Sequence, residues 1–150
     1  MLLSEFLRVL GEVETGTTDR EVTDVVYDSR LAKPGCVFVC LRGSSSDGHR
    51  YASQAATAGA VAVIAEEPVD AGDVPVILVP DTKAALAVLS AEFFGNPARH
   101  DIKVIGITGT KGKTTTAYMV RSILEAAGHK TGIIGTIGVQ IGDTVIASFT

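Results

Sequence analysis

The sequence has no cluster of lysine or arginine, no apolar stretch long enough to cross a bilayer, and few cysteines and histidines. Its 150 residues carry a net charge of −4, so the positive patch typical of nucleic-acid and anionic-membrane binding is missing. Acidic residues interrupt the apolar runs, and the first residues do not have the layout of a signal peptide. We therefore expect a cytoplasmic protein with no nucleic-acid or membrane partner.

The two cysteines, Cys36 and Cys40, lie in one apolar run. Four residues apart on a strand, they face the same side of the sheet but are too distant to form a disulfide. No histidine or cysteine pair has zinc-ligand spacing. We expect two buried free thiols, as suits a reducing compartment.

The hydrophobic fraction of 46% and the charged fraction of 20% are typical of a globular protein. Strands alternate with helices, which predicts an α/β fold with parallel strands. The predicted strands are 22–27, 37–41, 61–65, 75–79, 104–107 and 131–136. The predicted helices are 3–10, 51–58 as core packing, and 81–94 with a core stripe of Leu86, Leu89 and Phe93. A further helix is predicted from Lys113 to Gly128, with an apolar face of Ala117, Val120, Ile123 and Leu124. Residues 96–101 form a predicted linker, and 141–144 a hairpin turn.

Residues 104–116 carry the strongest functional motif, a β-branched run followed by a glycine-rich turn and an amphipathic helix. Gly109 and Gly112 allow backbone N–H groups to turn inward, and the helix start adds positive charge, so the loop can bind phosphate. Lys113 is placed to reach the β- and γ-phosphates of a nucleotide, with the Thr114 hydroxyl on Mg²⁺. The residues of this predicted nucleotide-binding loop are Gly109, Thr110, Lys111, Gly112, Lys113, Thr114 and Thr115.

The motif departs from the strict phosphate-loop template, because Ile107 stands where that template has glycine. The alternative is a strand-to-helix turn that binds nothing. Beyond Thr116 the acidic residues are Glu125, late in a helix, and Asp143, in a turn, and neither is placed to hold Mg²⁺. The strands after the loop are also too few to cover a parallel sheet. We therefore expect the amino-terminal part of a longer enzyme, or a truncated form of one.

Two further segments follow predicted strands, where α/β folds place ligand contacts. Asp28-Ser29-Arg30 is either such a contact or an ordinary turn with a solvated arginine. The loop 44–50 offers hydroxyl and N–H groups to a ligand, or is a flexible linker in which Asp47 caps the next helix. Both pairs of alternatives stay open on residue type alone.

Taken together, these segments resemble the Mur ligases, the ATP-dependent amino-acid ligases of peptidoglycan precursor synthesis. Within the family, Thr-Gly-Thr in the phosphate loop and the run 132–138 are most similar to the MurE branch, which adds the third residue to UDP-N-acetylmuramoyl-L-alanyl-D-glutamate. The segments that carry the resemblance are Asp28-Ser29-Arg30, the residues from Pro34 to Val39, Gly43, Asp47-Gly48-His49, Gly59-Ala60 and the residues from Ile105 to Thr116.

The resemblance implies that residues 1–97 form a UDP-binding α/β domain and that 98–150 begin a Rossmann-like central ATPase domain. It implies that Ser29, with Tyr27 alongside, contacts the UDP-sugar, and that Ser44, Ser45 and Ser46 border the uridine. The implied partners are UDP-N-acetylmuramoyl-dipeptide and an amino acid, diaminopimelate or lysine. The implied cofactors are ATP, held by the ATP-binding residues Gly109 to Thr115, and Mg²⁺. The resemblance also implies that Thr150 begins a segment that touches the muramoyl-peptide.

Two residues or runs depart from the family pattern. Lys111 replaces a common asparagine, and Ser44-Ser45-Ser46 is plainer than the loop of some members. Three alternatives remain: a MurF-type or other Mur ligase, a non-catalytic UDP-sugar-binding fragment, and a small phosphate-loop kinase. The kinase is disfavoured because it needs no unrelated α/β domain ahead of its loop.

Overall fold

The computed structural model describes residues 1–11, 19–44 and 46–146, which fall into two units, Met1–Ile102 and Lys103–Thr150. The division follows Ile102, and the assignment of domain roles to either side of residue 97 stays a prediction. Each unit has its own sheet. Within the described residues, no helix combines the length and apolar character that a bilayer crossing requires.

Unit one is built on four parallel strands in sequential order. They are β1 (Asp24–Val26), β2 (Cys36–Val39), β3 (Ala62–Ala65) and β4 (Val76–Leu78). The predicted strands are confirmed in place but are shorter by one to three residues, because only the residues facing a neighbouring strand are paired. The α/β fold class with parallel strands is confirmed for this unit.

The helices of unit one begin and end near the predicted residues. Helix α1 (Leu3–Leu7) continues as a 3-10 turn to Leu10, and Gly11 then turns the chain with φ +105°. Helix α2 (Ala52–Thr57) follows a 3-10 turn at Gly48–Tyr51, and α3 (Thr82–Phe93) begins after Asp81. Residues 96–101, predicted as a linker, instead contain the one-turn helix α4 (Pro97–His100), because proline is well suited to a first helical position.

Both faces of this sheet are covered, so β2 is buried throughout. Its side chains alternate: Val37 and Val39 face α1 and α3, whereas Cys36 and Phe38 face α2. Cys36 and Cys40 are free, buried and in the same cluster, which confirms the two buried thiols. Of the predicted stripe on α3, Leu89 is fully buried, and Leu86 and Phe93 pack at the margin of the core.

Unit two contains helix α5 (Lys113–Ala126) and an antiparallel sheet of β5 (Gly132–Gly135), β6 (Gly138–Ile141) and β7 (Thr144–Ile146). The hairpin turn before Thr144 is confirmed. Gly128 ends α5 with φ +83°: its N–H donates to Glu125 O, and the next N–H donates to Leu124 O, a Schellman motif. The antiparallel pairing of β6 with β7 was thus predicted, whereas the predicted strand 131–136, expected in a parallel sheet, instead pairs antiparallel with β6 as β5.

The predicted strand 104–107 is not a strand in the structure, since none of the described residues pairs with it. Val104 is 75% and Ile105 60% exposed. A parallel strand exists only beside a neighbour, and the antiparallel sheet of this unit offers none. The predicted apolar face of α5 is likewise only half-buried at Ala117, Val120 and Leu124, and Ile123 is 69% exposed.

Candidate functional site

The glycine-rich loop ahead of α5 has a backbone that requires glycine at two positions. Gly109 has φ +148° and Gly112 has φ +79°. A Cβ at Gly112 would meet no atom within 4 Å, so the backbone conformation, and not lack of space, selects glycine there. Such a backbone turns successive N–H groups toward one side, as an anion-binding loop does.

The start of α5 has the same character. Gly112 is the N-cap residue and has no side chain to occupy the first N–H groups, those of Lys113, Thr114 and Thr115. The Lys113 Nζ donates to the carbonyl oxygen of Gly109 at 2.6 Å, so the side chain folds back over the loop. Residues 102–124 include no aspartate or glutamate, so Lys111 and Lys113 give the loop a positive field.

The two acidic residues of unit two have other roles. Glu125 accepts hydrogen bonds from Arg121 Nε and Thr131 Oγ1, both at 2.7 Å. These two hydrogen bonds lower the pKa of Glu125, and the bond from Thr131 has the larger effect. Glu125 also lies about 16 Å along the helix from Thr114, at 1.5 Å per residue. Asp143 is in the turn between β6 and β7. In the described part of unit two, Thr114 is therefore the one predicted magnesium contact at the loop.

In unit one the predicted substrate residues follow adjacent parallel strands. Tyr27 and Ser29 come after β1, and Ser44 and Ser46 after β2, so all four lie at the same edge of the sheet. Tyr27 is exposed, and the Ser29 hydroxyl donates to Gln54 on α2 at 3.2 Å. Ser45, also predicted, lies outside the described residues. Their roles in binding stay predictions.

Asp28-Ser29-Arg30 forms a turn stabilised by its own side chains. Asp28 Oδ1 accepts the Arg30 N–H at 3.0 Å, and the guanidinium of Arg30 makes a two-pronged contact with the same carboxylate. These bonds, chiefly that from the Arg30 side chain, lower the pKa of Asp28 to about 2. The geometry is therefore that of an ordinary turn with an exposed arginine, one of the two alternatives drawn from the sequence. The turn holds Ser29 at the edge of the sheet.

An open hollow of about 320 Å³ lies beside the loop after β2, lined by Gly43, Ser46, Asp47, Arg50 and Tyr51. Sequence reasoning missed two of these, since it assigned Tyr51 to a core helix and gave Arg50 no role. The signal available was their position directly after Asp47-Gly48-His49. Ser46 Oγ and the Tyr51 hydroxyl lie 3.4 Å apart, so an amphipathic ring and two polar groups face one opening.

Each residue of the Asp47-Gly48-His49 segment has a specific structural role. Asp47 caps the 3-10 turn by accepting the His49 N–H at 3.0 Å, as the linker interpretation predicted. This bond lowers the pKa of Asp47. Gly48 passes so close to β2 that an added Cβ would lie 2.7 Å from the backbone nitrogen of Leu41. His49 is buried, with Nδ1 2.7 Å from Asp47 Oδ1 and Nε2 accepting the Glu66 N–H at 3.0 Å.

Asp47, His49 and Glu67 bring three possible metal-ligand atoms within 4.8 Å of one another. Those atoms are already engaged. The ring of His49 bonds Asp47 and Glu66, and Glu67 accepts from Arg42 Nη2 at 2.8 Å. We interpret the group as a hydrogen-bonded network at the edge of the sheet.

Two family models match the chain: residues 21–94 match "Mur ligase family, catalytic domain" and residues 107–149 match "Mur ligase middle domain". The UDP-N-acetylmuramoyl-L-alanyl-D-glutamate--2,6-diaminopimelate ligase of Syntrophomonas wolfei is 47% identical over 145 residues, which are 95% of this chain and 29% of that protein. The enzyme of the same name from Bacillus licheniformis is 49% identical over 145 residues, with the same two shares. The resemblance inferred from the motifs is confirmed.

Solved structures show the same relationship. The MurF ligase of Thermotoga maritima in complex with ADP is 34% identical, with a TM-score of 0.55, over 71% of this chain and 23% of that one. A solved UDP-N-acetylmuramoyl-L-alanyl-D-glutamate--2,6-diaminopimelate ligase is similar in fold, with a TM-score of 0.69 at 21% identity over 97% of this chain and 29% of that one. This chain thus spans less than a third of the length of the proteins it matches.

Proposed function

The chain belongs to the Mur ligase family, and from that premise we propose that it carries the nucleotide-sugar subsite and the ATP phosphate loop of an amide-forming ligase. The proposed activity of the whole ligase is the addition of a third amino acid to UDP-N-acetylmuramoyl-L-alanyl-D-glutamate in the cytoplasm. The names of the curated relatives favour 2,6-diaminopimelate over lysine as that amino acid. Their identities also favour this branch over the MurF branch, since three solved MurF structures are 28–34% identical to this chain.

The observation that carries the proposal is the geometry of the loop 109–115. Two glycines with positive φ, a helix start with no side-chain cap and the folded-back Lys113 form a cradle without a carboxylate. That cradle suits the phosphates of ATP. The Thr114 hydroxyl, at the second position of α5, is the group that would hold Mg²⁺, which neutralises phosphate charge when bound.

The proposed reaction proceeds in two steps. The γ-carboxylate of D-glutamate attacks the γ-phosphorus of ATP, forming an acyl phosphate and releasing ADP. The amino group of the incoming amino acid then attacks the acyl carbon, forming the amide and releasing phosphate and a proton. In both steps the residues of this chain act by position and charge: Lys113 and the loop N–H groups bind the phosphoryl oxygens as negative charge moves between them.

Unit one supplies the anchor for the other substrate. The edge that carries Ser29, Ser46 and the hollow beside Tyr51 is where a parallel sheet places ligands. The proposal assigns this edge to the UDP moiety, with Tyr27, Ser29, Ser44, Ser45 and Ser46 as its contacts. Holding the nucleotide there keeps the peptide end of the substrate available for reaction.

A second candidate is that this chain alone binds the nucleotide sugar without catalysing a reaction. One contrast favours it: the sheet of unit one is covered on both faces, whereas residues 104–107 have no neighbouring strand among the described residues. This contrast supports binding of the nucleotide sugar by unit one without the remainder of a full-length relative.

The test is calorimetric titration of the 150-residue chain with UDP-N-acetylmuramoyl-L-alanyl-D-glutamate, UDP-glucose and ATP·Mg. Selective binding of the muramoyl compound, weakened about tenfold by Ser29→Ala, is the expected result. Ser53→Ala, an exposed serine on α2, is the matched control. Binding of ATP with no UDP compound would contradict the substrate assignment and point to another class of phosphate-loop enzyme.

A further inference from the structure

His49 is a buried histidine whose two ring nitrogens contact different elements. The side chain is 4% exposed. Nε2 accepts the backbone N–H of Glu66 at 3.0 Å, just after β3. Since a backbone N–H can only donate, Nε2 carries no proton, and Nδ1 must hold the proton that it donates to Asp47 at 2.7 Å. The ring therefore links Asp47 to the end of β3 in one defined tautomer.

Asp47 closes the loop that follows β2. It forms an isolated bridge with Arg42, so these two residues are the base of the loop. Inside the base, the Gly43 N–H donates to the Ser46 carbonyl at 2.9 Å. A displacement of Asp47 would therefore displace Ser46, one of the predicted substrate contacts.

The other end of the link is firmly anchored. The Glu66 carboxylate accepts the N–H and the hydroxyl of Thr82, at 3.0 and 2.9 Å. Thr82 is fully buried at the first position of α3. Strand β3, helix α3 and His49 thus form one hydrogen-bonded support behind the loop, and close packing makes such a support stiff.

We propose that His49 is a positioning residue for the nucleotide-sugar subsite, setting the place of Gly43 and Ser46 through Asp47 and transmitting the stiffness of β3 to the loop. The proposal rests on the proposed function for its ligand, a uridine nucleotide sugar. A histidine that only filled the core would need neither a charged partner on the loop side nor a backbone donor on the strand side.

Two substitutions separate the two bonds of the ring. In His49→Asn the amide nitrogen is placed as Nδ1 is, so the bond to Asp47 is kept and the Glu66 N–H loses its acceptor. In His49→Gln the amide oxygen is placed as Nε2 is, so the bond to Glu66 is kept and Asp47 loses its donor. Both variants remove ring volume from the core, which makes each a control for the other.

The measurement is amide hydrogen exchange of the 150-residue chain, followed by NMR. We expect exchange of the Gly43 amide to be about tenfold faster in His49→Gln than in His49→Asn, and exchange of the Glu66 amide to show the opposite order. Leu89→Ala, which weakens the core on the α1 and α3 side of the sheet, should change the exchange rates of the Gly43 and Glu66 amides in the same direction. Parallel acceleration of both amides in both histidine variants would overturn the proposal, because it would show general loosening of the core.

Calorimetric titration with UDP-N-acetylmuramoyl-L-alanyl-D-glutamate then connects the loop to binding. His49→Gln should weaken binding about five- to tenfold, and more than His49→Asn does. If the two variants bind equally while their exchange patterns differ, the loop does not set affinity and the positioning role fails. If the unaltered chain binds no uridine compound and the crossed exchange pattern is present, the proposed function fails while the support of the loop by His49 stands.

Discussion

The ammonium group of Lys113 lies 2.6 Å from the carbonyl oxygen of Gly109, so the lysine closes over the loop that precedes it. The bond spans one turn of chain that includes both positive-φ glycines. A single carbonyl is a weak partner for a full charge compared with a phosphate, so an incoming phosphate can replace it. The side chain is thus held beside the place where negative charge is expected.

Lys113→Ala should lower the kcat of the whole ligase by about a thousandfold or more. The reason is that the substitution removes the main cation that stabilises the negative charge of the phosphoryl group. Binding of the UDP substrate should stay near that of the unaltered enzyme. Phosphate release measures the first effect and calorimetry the second. Lys130→Ala, an exposed lysine after α5, is the matched control. Ligation at the normal rate by Lys113→Ala would contradict the role proposed for this residue.

Gly112→Ala should weaken ATP binding by the chain about fivefold to tenfold, since a left-handed conformation costs a residue with a Cβ about 1 kcal/mol or more. The φ of +79° sets this cost, as an added Cβ would have free space. Gly106→Ala is the control: its Cβ also has free space, and its φ is not in the left-handed region. If the two substitutions weaken ATP binding equally, the cause is lost backbone flexibility of the loop and not the positive φ of Gly112.

Asp81→Ala should lower the free energy of unfolding of unit one by about 1 kcal/mol, the usual cost of losing an N-cap. Asp81 accepts the N–H groups of Lys83 and Ala84 at 2.8 and 3.0 Å, at the start of α3. Urea unfolding followed by circular dichroism measures the change. Asp81→Asn keeps the acceptor and should recover most of the loss, and Asp73→Ala, an exposed loop carboxylate, should have little effect. No difference between the two Asp81 variants would contradict the capping role.

The pairing of Asp28 with Arg30 predicts a dependence of stability on pH. Because the pKa of Asp28 falls from its ordinary value of 3.8 to about 2 on folding, the folded chain is stabilised by this pair above pH 4. That stabilisation is lost as the pH falls from about 4 to about 2, when the unfolded chain takes up the proton first. Asp28→Asn should therefore show a smaller loss of stability across this range.

Urea unfolding at several pH values tests this dependence, with Asp73→Asn as the control. The hydrogen bonds of Asp47 and Glu66 also lower the pKa of those carboxyls, so part of the acid dependence should remain in Asp28→Asn. A profile for Asp28→Asn that overlays the unaltered chain would show that the contact with Arg30 is too solvent-exposed to matter.

Cys36 and Cys40 should not react with a thiol reagent in the folded chain at pH 8, and both should react once it is unfolded. Burial raises the pKa of Cys40 to about 12 and that of Cys36 in the same direction, so little reactive thiolate forms. Labelling with and without guanidinium, counted by mass spectrometry, measures this. Rapid labelling of either residue in the folded chain would show that β2 opens locally.

The sheet of unit one illustrates what local pattern can predict. The apolar run of β2 and the Asp81 cap of α3 depend on residue type and near neighbours, so strand and helix were predicted close to where they lie. The strands were predicted too long because pairing, which sets strand ends, depends on neighbours far along the chain. Helix α4 was missed for a related reason, since proline ends one helix and can also begin the next.

The candidate site also has one part that local sequence predicts and one part that it does not. The glycine-rich turn ahead of α5 could be predicted from the sequence because its glycines at positive φ and the helix start are specified residue by residue, whereas its binding of phosphate stays a prediction. The hollow lined by Arg50 and Tyr51 could not, because its walls come from a loop and a 3-10 turn that fold against each other. The roles predicted for Ser29, Ser44 and Ser46 remain to be tested by binding.

The sequence by itself determined the α/β fold of unit one, the buried thiols and the glycine-rich turn before α5, because periodicity, burial and backbone preference act within a few residues. Only the tertiary structure decided that residues 104–107 pair with no strand in the described part of the chain and that His49 reaches Glu66, 17 residues further along. Both depend on which distant segments become neighbours. Such contacts form only when the whole chain packs, so no local pattern specifies them.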